Sequence, residues 1–278
     1  MKFFCITESW LAETNNALRT SCGARGIEYV QLDPFDFDYV SSPRPVAGDL
    51  MYRPGAHISC RRLEHLLYES GIVTLSRDPF FDCFNQLELL EKFGLPVLKT
   101  VTTIKPKLPR ELLLSHVDYL GGLPLVLKLP GSEGGVGIIK VDTLEGLFSL
   151  IDYLQYAPLL MEYFEHIVSY RVVVLNGEAI AVEARHSGAD DFRTNSAGGG
   201  SLGKVDAPEN VLTTAIRAAD ILQSEFGGID IIQSDNGEIR FCEMNYPCYF
   251  ADQQKEGDID ISGKMIDYLM LKSSRVNT

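Results

Sequence analysis

The stretch GIDIIQSDNGEIRFCEMN, residues 228–245, holds two apolar runs on either side of Asn236-Gly237. This dipeptide between alternating apolar residues is a strong signal for a β-hairpin with a two-residue type I′ turn. A turn at this place sets Asp230 directly opposite Glu243, with their Cβ atoms ~5 Å apart. Asn245 follows Glu243 by two residues and therefore shares its face of the strand. The stretch predicts a hairpin that brings two carboxylates and one amide together.

Two carboxylates that face each other across a hairpin repel, and a cation between them removes the repulsion. Asp230, Glu243 and Asn245 offer oxygen donors, which suit Mg²⁺ or Mn²⁺ with phosphates and water completing the shell. The alternative is that both acids lie on a solvated face. The neighbouring residues favour a buried strand pair, and therefore the metal site, because they are apolar: Ile229, Ile231, Ile232, Phe241 and Met244.

The chain around this hairpin divides into three predicted units. Residues 1–82 predict an N-terminal α/β domain, because strand patterns such as MKFFCI alternate with helical ones and indicate a parallel sheet. Residues 83–160 predict a central subdomain and residues 161–278 a C-terminal one that carries the metal site. The predicted fold class is α/β (α+β).

Two local signals stand out in the C-terminal unit. Asn176-Gly177 lies between the runs YRVVVL and EAIAVEA and predicts a second hairpin. The helix that begins near Pro208 is predicted to end at Gly227-Gly228, since proline favours the first helical position and glycine the end.

A glycine-rich stretch, GSEGGVG at 131–137, lies between two strand-like runs. Backbone N–H groups in such a loop can approach phosphate oxygens closely. The stretch is neither a Walker A loop, which requires Gly-Lys-Ser/Thr, nor a dinucleotide fingerprint, which a helix follows. A plain flexible hairpin stays open as the alternative.

Several cations lie where an anionic ligand would suit them. Lys128 and Arg171 each interrupt an apolar strand-like run, and a buried cation needs a partner such as a nucleotide phosphate. The alternative for Lys128 is an edge strand, from which its ammonium reaches water. Arg193 and Asn195 lie in the polar stretch DDFRTNSAGGG, and a guanidinium can bind phosphate or carboxylate bidentately.

Composition excludes some classes of partner. The formal net charge of −13 argues against a general nucleic-acid or anionic-membrane surface, since both require basic patches. The start of the chain has too short an apolar run for a signal peptide, and no stretch has the ~18–20 apolar residues of a membrane span. None of the six cysteines forms a Cys-x-x-Cys pair, which indicates reduced thiols and a cytoplasmic protein.

A series of motifs, taken together and in order, resembles the ATP-grasp superfamily and most closely its RimK-type glutamate ligases. The motifs are VLKLPGSEGGVGI, LLMEYFE, YRVVVLNGEAIAVEAR, DFRTNSAGGG, GGIDII, FCEMN and GDIDISGKMIDYL. They span residues 78–272, and the N-terminal unit fits the domain that usually precedes the ATP-grasp fold. The resemblance therefore implies an ATP-grasp fold with an N-terminal pre-grasp domain.

The resemblance also implies roles for individual residues. Asp230, Glu243 and Asn245 would hold two Mg²⁺ ions, and Arg171 and Arg193 would act as catalytic residues at the phosphoryl group or acyl phosphate. The nucleotide would contact residues of the glycine loop and of the interdomain strand, together with a lysine, a serine and an asparagine: Gly131, Ser132, Gly134, Gly135, Glu162, Tyr163, Phe164, Lys128, Ser169 and Asn195.

The implied chemistry is ATP- and Mg²⁺-dependent (or Mn²⁺-dependent) joining of a carboxylate to an amine through an acyl phosphate, with release of ADP and phosphate. The partners would be small-molecule substrates such as amino acids or peptides, or a peptide or protein tail, without nucleic acid or membrane. A homo-oligomer stays open. Two other functions also stay open, a nucleotide-binding pseudoenzyme and an ATP-grasp kinase.

Some positions depart from the family pattern. Cys83 stands where the family often has a lysine, and Ser169 stands where it usually has an acid. Gly198 replaces an arginine, and Asn245-Tyr-Pro-Cys-Tyr replaces the usual Asn-x-Ser-Pro-Gly. The last two changes lie where the substrates would sit, so they concern substrate choice more than ATP chemistry.

Overall fold

The strands form three four-stranded sheets in the part of the chain that the computed structural model describes, residues 1–8, 11–68, 71–75, 83–102, 108–133, 135–186 and 206–276. The first sheet has the elements β1 (Lys2–Ile6), α1 (Ala12–Ala24), β2 (Glu28–Leu32), β3 (Leu50–Tyr52), α2 (Ile58–Tyr68) and β4 (Val73–Thr74). Its strands are parallel in the order β2-β1-β3-β4, as the alternation of helices and strands predicted.

The middle sheet is antiparallel in the order β5-β8-β6-β7. The elements of this region are α3 (Cys83–Lys92), β5 (Thr100–Thr102), α4 (Arg110–Tyr119), β6 (Leu125–Glu133), β7 (Val136–Val141), α5 (Leu144–Tyr153) and β8 (Leu159–Glu162). Leu125 and Leu127 point into a core formed with α4 and α5. Val126 and Lys128 alternate with them and lie on the opposite face, which is left for the site.

The third sheet is antiparallel in the order β10-β9-β11-β12. The elements here are β9 (Val168–Leu175), β10 (Glu178–His186), α6 (Glu209–Ile221), β11 (Phe226–Gln233), β12 (Ile239–Asn245), α7 (Ala251–Gly257) and α8 (Ile261–Val276). Val172 and Val174 pack in one core with the buried side chains of α6. Val173 lies on the other face, where it joins a core that contains N-terminal residues such as Phe3 and α8 residues such as Ile266.

Helix α3 packs against β12 of the third sheet as well as against β5. Leu87 and Leu90 belong to the same core as Phe241 and Met244 of β12. The helix thus lies beside the strand that carries two of the predicted metal ligands.

The predicted end of the helix after Pro208 is wrong. Helix α6 ends at Ile221, and the chain leaves it through Gln223, whose φ is 53°. The Ser224 N–H then donates to Ala219 O at 2.8 Å, which ends the helix without a glycine. Gly227 and Gly228 are therefore part of strand β11.

The predicted α/β (α+β) class is confirmed by this arrangement of sheets and helices. The division at residues 82 and 160 stays a prediction. In the described residues, no helix combines the length and the apolar character needed to cross a membrane.

Candidate active site

A row of four charged side chains crosses the third sheet. Glu183 on β10 pairs with Arg171 on β9, Arg171 pairs with Asp230 on β11, and Asp230 pairs with Glu243 on β12. Directly opposed residues of neighbouring strands project from the same face of a sheet. The predicted opposition of Asp230 and Glu243 is therefore confirmed, and the row extends it by two further charges.

Arg171 binds Asp230 through two parallel hydrogen bonds. Its Nε donates to Oδ1 at 2.8 Å and its Nη2 donates to Oδ2 at 2.7 Å. The amide of Asn245 donates to the same Oδ2 at 3.0 Å. The Asp230 carboxylate raises the pKa of Arg171, and burial opposes that shift less strongly. The three side chains thus form one fixed group around the Asp230 carboxylate.

Lys128 of the middle sheet forms an ion pair with Glu243 of the third sheet. Burial alone would lower the pKa of Lys128, but the Glu243 carboxylate and its hydrogen bond outweigh burial and raise the pKa. A lysine whose pKa is higher in the folded than in the unfolded chain stabilises the fold fully at any pH below its unfolded-state pKa. This stabilisation is lost as the pH rises through its folded-state pKa. Lys128 is therefore a cation throughout the neutral range.

The loop of the metal hairpin differs from the predicted two-residue turn. The Ser234 N–H donates to Glu238 O at 2.9 Å, so the loop consists of the three residues 235–237. That loop alone would place Asp230 opposite Cys242. The register shifts between Asp230 and Ile231, so that Cys242 is an extra residue in β12. This β-bulge returns Glu243 to the position opposite Asp230, and bulges often orient side chains in this way beside active sites.

A pocket of about 820 Å³, open to solvent, lies between the middle and third sheets. Its wall contains eight of the predicted nucleotide and metal residues: Lys128, Gly135, Glu162, Tyr163, Phe164, Ser169, Asp230 and Glu243. Arg171 and Asn245 do not line the wall but bind the carboxylate of Asp230, which does. Gly131 and Ser132 belong to β6 outside the wall. The predicted residues Gly134, Arg193 and Asn195 lie outside the described residues.

The glycine stretch is more regular than predicted. Strand β6 continues to Glu133 and β7 begins at Val136, so most of residues 131–137 are strand and not loop. Gly135 alone of the described glycines in this stretch lines the pocket, and its φ of 85° is in the left-handed region that favours glycine.

The segment that follows β8 is fixed by charged groups. Glu162 accepts a hydrogen bond from the Lys99 N–H at 2.9 Å and lies 3.6 Å from the Arg240 guanidinium. The Arg240 guanidinium lies 4.7 Å from the centre of the Phe164 ring, and the Lys140 ammonium lies 4.2 Å from that of Tyr163. These contacts hold the aromatic side chains at the mouth of the pocket.

The apolar part of the pocket was missed by the sequence reasoning. It is formed by Leu98, Val126, Ile138 and Ile232, with His166 and Cys242 also in the wall. Val126 could have been found, because it precedes Lys128 by two residues on the same face of β6. Cys242 could not, because regular strand alternation puts it on the face opposite to Glu243, and the bulge alone brings both residues to the pocket.

The donor set fits a hard divalent cation. No group of three or more histidine, cysteine, aspartate or glutamate side chains that could bind a metal occurs among the described residues. A metal here would therefore bind the carboxylates of Asp230 and Glu243, an amide oxygen, and oxygens of ligand and water, as Mg²⁺ commonly does. The Glu243 side chain is 27% exposed, so it is accessible from the pocket.

The pocket between two antiparallel sheets has a lysine on one wall and paired acids on the other. It brings together residues to which the resemblance to the ATP-grasp superfamily assigned nucleotide and metal contacts. Residues 82–269 match the family model described as a RimK-like ATP-grasp domain. The chain belongs to this family.

Individual relatives agree with this assignment. A protein of Maridesulfovibrio salexigens named probable alpha-L-glutamate ligase is 29% identical over 295 residues, covering 97% of this chain and 95% of the relative. The ATP-grasp ligase PsnB complexed with minimal precursor has a TM-score of 0.75 at 17% identity, covering 98% of this chain and 99% of that chain. The macrocyclase MdnC bound with precursor peptide MdnA, from Microcystis aeruginosa MRC, has a TM-score of 0.74 at 16% identity, covering 98% and 100%.

At such identities the two solved structures show a shared fold. The predicted family and ATP-grasp fold are confirmed, and so is the predicted enzyme class, an ATP-grasp ligase.

Proposed function

We propose that this chain uses ATP with Mg²⁺ or Mn²⁺ to join a carboxylate to an amine through an acyl phosphate. The observation that carries the proposal is the opposition of Asp230 and Glu243 on the pocket wall, with Asn245 bonded to Asp230. Arg171 and Lys128 each balance one of these acids in the structure, and a divalent cation would take the place of Lys128 beside Glu243 when the phosphates bind. The same pocket has an apolar part suited to a base and a lysine suited to a phosphate.

The residues of the pocket divide between the two ends of the nucleotide. Val126, Ile138 and Ile232 would provide the apolar surface for adenine, and residues 161–164, at and after the end of β8, are in the same wall. Lys128 is bound to the metal ligand Glu243 and lines the pocket, and it would exchange this bond for one to a phosphate oxygen. The metal would be held by Asp230, Glu243 and Asn245, and it would neutralise charge on the phosphates.

The reaction would proceed in two transfers. The γ-phosphoryl group passes to the substrate carboxylate and ADP leaves; the amine then attacks the acyl carbon and phosphate leaves. The protein contributes position and charge. Arg171, held by its two bonds to Asp230, would orient that ligand for the metal.

The substrates proposed here are amino acids or peptides. This is supported by the name of the Maridesulfovibrio relative and by the precursor peptides in the titles of the PsnB and MdnC structures. We place the protein in the cytoplasm, because all six cysteines are free thiols and such thiols persist in reducing compartments. The net charge of −13 would repel nucleic acids and anionic membranes, so we do not propose either as a partner.

The proposal is tested by incubating the protein with ATP, Mg²⁺ and hydroxylamine against a panel of amino acids and peptides. A ligase produces ADP and a hydroxamate with the correct acid, because hydroxylamine intercepts an acyl phosphate. ADP with a phosphorylated product that resists hydroxylamine would instead identify a kinase. Binding of ATP without turnover on the whole panel would identify a nucleotide-binding module.

Glu243→Ala tests the metal ligands in the same assay. We expect turnover to be abolished, because the variant loses one of two carboxylate ligands. Glu238→Ala is the matched control, since Glu238 is an exposed acid of the same hairpin that lies in its turn region. Equal turnover in the two variants would contradict the proposed metal site.

A further inference from the structure

Gln86 of α3 makes two hydrogen bonds to the backbone of one residue on β12. Its Nε2 donates to Met244 O at 3.0 Å, and the Met244 N–H donates to its Oε1 at 2.8 Å. The side chain is 5% exposed, so these bonds are shielded from water. A donor and an acceptor on a single amide thus satisfy both backbone groups of Met244.

The position of β12 explains why such a partner is needed. β12 is the last strand of its sheet in the described part of the chain, so its outer backbone groups have no neighbouring strand there. At Phe241 the partners are Pro96 O at 2.7 Å and the Leu98 N–H at 3.2 Å. At Met244 the side chain of Gln86 replaces a neighbouring strand.

Helix α3 also contacts the bulge itself. The Cys83 thiol donates to Cys242 O at 3.5 Å, and Cys83 precedes Gln86 by about one helical turn. The bulged residue and Met244 are therefore both held by one face of α3. Glu243 lies between these two attachment points, and Asn245 follows the second.

We propose that Gln86 is a positioning residue for the metal site, and this inference rests on the proposed function. Met244 lies between Glu243 and Asn245, so two bonds to its peptide groups fix the direction from which both side chains project. The bulge at Cys242 interrupts the ladder between β12 and β11 next to Glu243, and the Gln86 amide holds β12 from its other edge at Met244. Gln86 acts on the metal only through these neighbours and does not line the pocket.

The test measures Mn²⁺ binding to the whole protein in the presence of ADP, by electron paramagnetic resonance and without turnover. Gln86→Met keeps the length of the side chain and removes both hydrogen bonds. We expect its affinity for Mn²⁺ to fall about 10- to 100-fold, as for other residues that orient metal ligands. Gln86→Asn retains the amide on a side chain that is one methylene shorter. Its affinity for Mn²⁺ should therefore lie between that of the unsubstituted protein and that of Gln86→Met.

Leu90→Ala is the control for stability. Leu90 is a buried residue of the same helix, and its truncation should lower the melting temperature without changing Mn²⁺ affinity. The inference is wrong if Gln86→Met and Gln86→Asn bind Mn²⁺ as the unsubstituted protein does, whatever their melting temperatures. If the unsubstituted protein with ADP does not bind Mn²⁺, the proposed metal site fails as well, so the two failures are distinguishable.

Discussion

The third sheet contains two hairpins with the same Asn-Gly pair and different loops. In the β9–β10 hairpin Leu175 pairs with Glu178, and both Asn176 and Gly177 have positive φ, as a two-residue type I′ turn requires. In the β11–β12 hairpin only Gly237 has positive φ. The dipeptide therefore signals a hairpin in both places but does not choose the loop.

The side chain of Asn236 accounts for the second loop. Its Oδ1 accepts hydrogen bonds from the Ser234 hydroxyl at 2.6 Å and from the Glu238 N–H at 2.9 Å. These bonds stabilise a three-residue loop, since asparagine side chains commonly bond to the backbone two residues on. Both hairpins contain a bulge, at Ile180 in the first and at Cys242 in the second. The first has a tight turn and supplies Arg171 and Glu183, whereas the second has a longer loop and supplies Asp230 and Glu243.

The largest expected effect concerns the contact between the two hairpins. Arg171→Lys keeps the charge and loses the two parallel bonds to Asp230. We expect kcat to fall by about 10²-fold, because Asp230 loses the bidentate partner that orients it as a metal ligand. Arg25→Lys is the matched control, because Arg25 binds Asp267 in the same way, through Nε at 2.6 Å and Nη2 at 2.8 Å, between α1 and α8. Equal kcat values in the two variants would show that the paired geometry at Asp230 is dispensable.

A smaller effect is expected at Gly228, where β11 passes closest to the chain after β12. A Cβ at Gly228 would lie 2.7 Å from Cys248 Sγ and 3.7 Å from Arg171 Cδ. Gly228→Ala should cost about 1–3 kcal/mol of stability through overpacking. It should lower kcat about 10-fold, because Cys248, which the new methyl group displaces, follows the predicted metal ligand Asn245 by three residues.

Cys248→Ala provides the means of rescue, because it removes the sulfur that the new methyl group meets. The double variant Gly228→Ala, Cys248→Ala should recover most of the activity and melting temperature relative to Gly228→Ala. Activity that stays low in the double variant would mean that the close approach to Cys248 is not the cause.

The smallest expected effect compares the two loops directly. Gly177 and Gly237 have φ values of 77° and 86°, and no atom lies within 4 Å of a Cβ at either position. Alanine at each should therefore cost about 1 kcal/mol through backbone strain alone. Neither change should alter the Mg²⁺ dependence of turnover, measured at saturating ATP. A weaker Mg²⁺ response in Gly237→Ala alone would show that the loop, and not the bulge, sets the register of the acids.

Most of the elements could be predicted, because apolar periodicity and turn residues are local signals. The alternating helices and strands of the first sheet and the hairpin at Asn176-Gly177 follow such rules. Helix α6 ends through the left-handed conformation of Gln223 and a hydrogen bond from the Ser224 backbone N–H. Neither residue type signals a helix end as glycine does, so the predicted helix was too long. Opposition of Asp230 and Glu243 was predicted from the wrong loop, and the bulge at Cys242 compensated for that error.

The sequence by itself determined which chemical groups the site would have. The acids, Lys128, Arg171 and the strands that carry them follow from residue order, because strand alternation assigns each side chain to a face. The tertiary structure decided which groups bind each other. Lys128 reaches Glu243 from another sheet, and Gln86 reaches Met244 from a helix 158 residues away in the chain. Such contacts depend on how separate elements pack, and local periodicity contains no information about packing partners.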